Sequence, residues 1–205
     1  MIAELGLRWI LTAVFVATGA FCGYRCLRHG TPAARVSDVL HVIMCAGMVA
    51  MAWPAAMTFA RIPQTVLFAA AAAWFAGALI LRSGDHDDHR GTAHAHHALM
   101  MAGMAWMVFM MPSAMSGMVM SAPEHGGEHA GMAMGDGMTM SGSAPPHVAI
   151  VAGILAVLFL VAGTGWLARA IDLGRADHRP DLRTAGLAAE GAMSLGMAVM
   201  ALAMI

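Results

Sequence analysis

Apolar residues fall into six long stretches, at about Leu5 to Tyr24, Val39 to Ala60, Thr65 to Leu81, His97 to Met120, Val148 to Leu167 and Ala185 to Ile205. Each approaches the roughly 20 residues that a helix needs to cross a hydrocarbon core. The pattern predicts an all-α integral membrane protein with six transmembrane helices, forming a single membrane domain over residues 1–205. Glu4 beside Arg8, and the lack of a small-residue cleavage site, predict that the first stretch is a span and not a signal peptide, with Arg8 snorkelling at its end.

Three of the stretches repeat. From His41 the chain reads HVIMCAGMVAM, from His97 HALMMAGMAWM and from Glu190 EGAMSLGMAVM. All share an ionisable residue at the start, methionine at +3, +7 and +10, and glycine at +6. On a helix the start and the three methionines fall within a stripe about 80° wide. If the three helices share an axis, three layers follow: Met44/Met100/Met193, Met48/Met104/Met197 and Met51/Met107/Met200. A further layer of His41, His97 and Glu190 lies one turn below. Met111, Met115 and Met118 continue the stripe on the fourth helix.

Composition agrees with the membrane reading, since 60% of residues are hydrophobic and 11% charged. A formal net charge of -1 with no basic run gives no sign of a nucleic-acid partner, so none is expected and the lipid bilayer is the expected one. Cys22, Cys26 and Cys45 lie in or beside apolar stretches, so they predict buried thiols and not a disulfide framework. The anomaly is methionine, with 22 residues.

Every basic residue is an arginine, and nine of the 11 lie in the connections after the first, third and fifth stretches, with Arg61 and Arg8 left for the other side. Positive charge favours the cytoplasm, so both termini are expected outside a plasma membrane, and the three repeat helices run outward from cytoplasmic ionisable ends. The odd stretches repeat weakly, as Gly19/Arg25, Gly77/Arg82 and Gly163/Arg169. Together these predict three helical hairpins, 1–60, 61–120 and 148–205, with an internal pseudo-threefold repeat.

Residues 121–147, SAPEHGGEHAGMAMGDGMTMSGSAPPH, form a low-complexity insertion expected to be a flexible extracytoplasmic loop. It offers His125, His129, Met132, Met134, Met138 and Met140.

Thioether sulfur is soft and uncharged, and it selects copper(I) over the harder ions that carboxylates prefer. Neutral ligands in successive layers also let an ion leave each site and hop to the next, as conduction requires. The sequence thus predicts a copper(I)-binding protein in which the Met/His loop collects the ion, the methionine layers pass it, and the His/His/Glu layer ends the path. No phosphate-binding glycine loop accompanies them, so flux would be passive or driven by a partner, and no enzymatic activity is expected.

Competing readings of the same residues are a copper store or chaperone serving an extracytoplasmic cuproprotein, and a redox protein with His41 and His97 on haem or on another metal. A structural bundle with methionine as flexible packing is the fourth. His86, His89, His94 and His96 read as a solvated loop, and Pro54 and Pro112 as kinks or stops.

The M-x-x-x-M elements Met44/Met48, Met100/Met104 and Met193/Met197 resemble the lining helix of Ctr-family copper transporters. That resemblance implies inward copper(I) passage through stacked methionine triads, here formed within one chain. It covers about a dozen residues, and this chain departs in having two helices per unit and a third methionine at +10. The whole chain is similar to a family of uncharacterised actinobacterial integral membrane proteins with histidine and methionine in their spans, a resemblance that implies no activity.

Overall fold

The computed structural model describes residues 5–28, 31–53, 61–81, 88–116, 145–177 and 181–205. They form six helices, α1 (Leu5–Arg28), α2 (Pro32–Ala52), α3 (Arg61–Leu81), α4 (Asp88–Ser116), α5 (Pro146–Asp177) and α6 (Leu182–Leu202), and among the described residues there is no strand. Five of the six, α1, α2 from Ala34, α3, α5 and α6, are long and apolar enough to cross a membrane. The described residues are therefore almost wholly helical, and the protein has the character of a multi-pass membrane protein.

Local chemistry sets the ends. Thr31 caps α2 in an extended conformation and Pro32 follows at the first helical position, where its missing N–H costs nothing. Trp53 ends the same helix in an extended conformation, the geometry that a following proline imposes, so Pro54 marks a stop. Pro112, by contrast, lies inside α4. That helix begins at Asp88, well before the apolar stretch, and so carries His94, His96 and His97 on helical backbone.

Large apolar side chains such as Ile10, Val16, Ile62, Trp74, Ile80, Val157 and Val161 point outward, as lipid-facing residues do. The most extensive packing is α1 on α2, α3 on α4 and α5 on α6, followed by α1 on α6 and α4 on α5. Glycines carry the close approaches. Within consecutive helices, a Cβ at Gly19 would stand 3.1 Å from the Cys45 Cβ, and one at Gly191 would stand 3.0 Å from the Gly163 carbonyl.

The glycines at +6 of each repeat receive aromatic or thioether side chains instead. Phe15 of α1 fills the space over Gly196 (2.5 Å to a Cβ placed there), Phe159 of α5 the space over Gly103 (2.3 Å), and Met104 that over Gly47 (2.6 Å), with Gln64 and Phe68 of α3 beyond it at 3.4 and 3.7 Å. Phe15, Phe68 and Phe159 are all fully buried. The sequence offers no obvious sign of this aromatic set, because phenylalanine in a span is ordinarily taken for lipid-facing bulk.

Candidate metal centre

One turn before Met44 on α2, Met100 on α4 and Met193 on α6, three ionisable side chains meet. His41, His97 and Glu190 each offer a ligand atom, and these atoms lie within 4.8 Å of one another. His97 Nε2 is 3.1 Å from Glu190 Oε1, and His41 Nε2 is 3.6 Å from Glu190 Oε2. Ligands about 2.1 Å from a tetrahedral ion stand roughly 3.4 Å apart, so this spacing suits an ion with little movement.

Two features orient the set toward an ion. His41 Nδ1–H donates to the Ser37 carbonyl oxygen at 2.7 Å, which fixes the tautomer and leaves the Nε2 lone pair facing Glu190. His41 Nε2 and Glu190 Oε2 are both buried with no hydrogen-bond partner. Buried polar atoms rarely lack partners, and a bound cation between them would satisfy both. The rings of His41 and His97 lie in edge contact, with centroids 4.6 Å apart. Axial haem ligands occupy opposite faces of a macrocycle, and that contact leaves no gap for one.

His96 corrects the reading of a solvated histidine loop. It is 6% exposed, its Nε2 is 3.3 Å from Ser194 Oγ and 3.8 Å from Glu190 Oε2, and its ring packs on Trp166 at 5.4 Å. Position -1 of the repeat falls about 260° around the helix, beside the methionine stripe, a signal that the acid and histidine content of the preceding segment obscured. Phe75 covers the other side of the layer, 5.2 Å from the His97 ring and 6.2 Å from that of His94.

All nine repeat methionines point inward. Met44, Met48, Met100, Met104, Met193 and Met197 have no exposed surface, Met107 has 1%, and Met51 and Met200 have 7% each. They belong to one connected apolar core. Position +4 is buried as well, as Cys45, Met101 and Ser194. The Cys45 thiol donates to Met193 Sδ at 3.5 Å and lies 3.6 Å from Thr18 Oγ1. Met193 therefore has a thiol beside it that the repeat alone did not mark. Met111 is half-buried. His125, His129, Met132, Met134, Met138 and Met140, with Met118, His86 and the rest of the 121–144 segment, lie outside the described residues.

The family described as Domain of unknown function (DUF5134) matches residues 33–204. The chain belongs to that family. As a DUF5134 protein it is 33% identical, over 219 aligned positions, to uncharacterised proteins of Mycobacterium tuberculosis and Mycobacterium bovis. The match covers 100% of this chain and 99% of each relative. This bears out the similarity to an uncharacterised actinobacterial family. No solved structure matches the chain.

Proposed function

We propose that this DUF5134 protein binds copper(I) in the membrane and passes it along three methionine layers to a site formed by His41, His97 and Glu190. The observation that carries the reading is the burial of all nine ladder methionines beside the buried His41, the half-buried His97 and the Glu190 carboxylate, whose ligand atoms converge. Packing alone calls for apolar bulk at those positions. It does not call for the same unbranched sulfur side chain at +3, +7 and +10 of three helices, directly above two orphaned buried polar atoms.

In this reading the helices form three hairpins about a pseudo-threefold axis. Support comes from the predominance of packing between consecutive helices and from the phenylalanines, each of which leaves its own pair to reach a neighbour: α1 to α6, α3 to α2, α5 to α4. All six helices span a plasma membrane, with both termini outside and the arginine-rich connections inside. The 121–147 segment collects copper on the outer side, where an extracytoplasmic cuproprotein or chaperone exchanges it. The M-x-x-x-M spacing shared with Ctr-type lining helices is consistent with passage and not with permanent storage, because neutral thioethers release the ion.

The test is copper(I) titration of the purified protein under reducing conditions, followed by tracer uptake into proteoliposomes. Saturable binding with flux supports the transporter. Stoichiometric binding without flux assigns a store or chaperone, and no binding refutes the proposal.

A further inference from the structure

Beyond the ion path, the same end of the bundle forms a half-open cavity of about 560 Å³ whose walls include His97 and Glu190, and also Arg25, Arg28, Arg183 and Trp166. Arg25 is engaged: its Nη2 lies 2.8 Å from Asp38 Oδ1, and its Nη1 is 2.9 Å from where a Cβ on Gly186 would stand, so the guanidinium rests on the α6 backbone. Arg28 stacks on Tyr24 at 5.2 Å, and among the described residues neither it nor Arg183 makes an ion pair. The first turn of α6 forms another wall, and its capping residue Asp181 makes no side-chain cap hydrogen bond. The positive end of a helix of 21 residues therefore adds to the arginines.

We propose that this cavity is an oxyanion site, in which Arg28, Arg183 and the first turn of α6 hold a carboxylate or phosphate group next to the metal centre. The charges explain the class of ligand. With Arg25 already paired to Asp38, Arg28 and Arg183 face two carboxylates, Asp181 and Glu190. A cation bound to Glu190 neutralises one of those carboxylates, so the cavity gains net positive character when the centre is loaded. Anion and cation binding are then mutually strengthening, by the same factor in each direction. This coupling rests on the metal reading of the preceding subsection, whereas the oxyanion site itself does not. A free dicarboxylate and the headgroup of an anionic phospholipid present the same chemistry at this depth.

The experiment measures succinate binding calorimetrically to the full chain in phosphatidylcholine nanodiscs, with and without copper(I), for the native protein, Arg28→Gln/Arg183→Gln and Glu190→Gln. Saturable binding is expected, weakened at least tenfold by the double arginine replacement and largely retained in Arg28→Lys/Arg183→Lys. Copper loading is expected to tighten it about tenfold, and Glu190→Gln, which removes the same negative charge without a metal, to tighten metal-free binding and abolish the further gain on copper loading. Repetition with phosphatidylglycerol present separates the sources: competition assigns the lipid headgroup, and an unchanged affinity assigns a free anion. No saturable binding, or equal affinity in the arginine variant, overturns the oxyanion site. Equal affinity of loaded and unloaded protein, with copper shown to be bound, overturns the coupling. Failure to bind copper, with succinate binding intact, counts against the metal reading alone.

Discussion

Replacing Met48, Met104 and Met197 together by leucine separates a copper ladder from a methionine-packed core. All three side chains are fully buried, so the change must be judged on packing and on ligation separately. Met to Leu keeps volume and apolarity nearly constant and costs less than about 1.5 kcal/mol per site. The three sites share one core, so strict additivity is not expected, and about 4.5 kcal/mol is an upper bound for the sum. The ligation effect is of another order, because leucine has no donor atom and the middle layer can no longer coordinate. The bound copper(I) should fall by the one ion of that layer, and proteoliposome uptake should fall with it, while size-exclusion behaviour stays native. Met101 supplies the control: it is also fully buried, but lies at +4, off the stripe, so Met101→Leu should leave copper content unchanged. The assay is competition with a chromophoric copper(I) chelator under reductant, together with thermal unfolding in detergent. Unchanged stoichiometry, affinity and flux in the triple variant would refute the ladder and favour the packing explanation.

Glu190→Gln removes the only charged ligand of the centre, and metal affinity there should fall by more than the about 10–100-fold that losing a supporting hydrogen bond costs. Spectroscopic titration with cobalt(II) as a probe would read it, and an unaltered titration would remove Glu190 from the site. Gly103→Ala places a Cβ 2.3 Å from Phe159 Cζ, where ordinary contact begins near 3.4 Å, so it should cost about 1–3 kcal/mol by overpacking. Phe159→Leu in the same chain should recover part of that in a thermal-unfolding cycle, and strict additivity of the two changes would show that the pair does not interact. Asp38→Asn leaves the buried end of the Arg25 pair without its charge, and because Arg25 is 26% exposed, the loss in chemical denaturation should lie near or below the low end of about 3–5 kcal/mol.

Much of the helical organisation was legible because spans and stripes are periodic. The repeat at His41, His97 and Glu190 named the three residues whose ligand atoms converge, since equal offsets on three helices imply equal depth. What the sequence concealed depends on partners and not on period. His96 looked solvated because its neighbours are polar, yet α4 starts early enough to turn it toward Ser194 and Trp166. Cys45 looked like a small core thiol, and only the approach of α6 brings Met193 to it. The phenylalanines over the +6 glycines were invisible for the same reason, because each acts on a helix outside its own sequential pair.

The seating of Phe15 on Gly196 ties the first helix described to the last. A chain inserted from its amino end cannot complete that contact until its carboxyl-terminal span has arrived. Until then α1 stays without its final neighbour, and the side of it that carries Phe15 stays uncovered. Truncation within α6 should therefore loosen the oldest part of the protein as well as the newest.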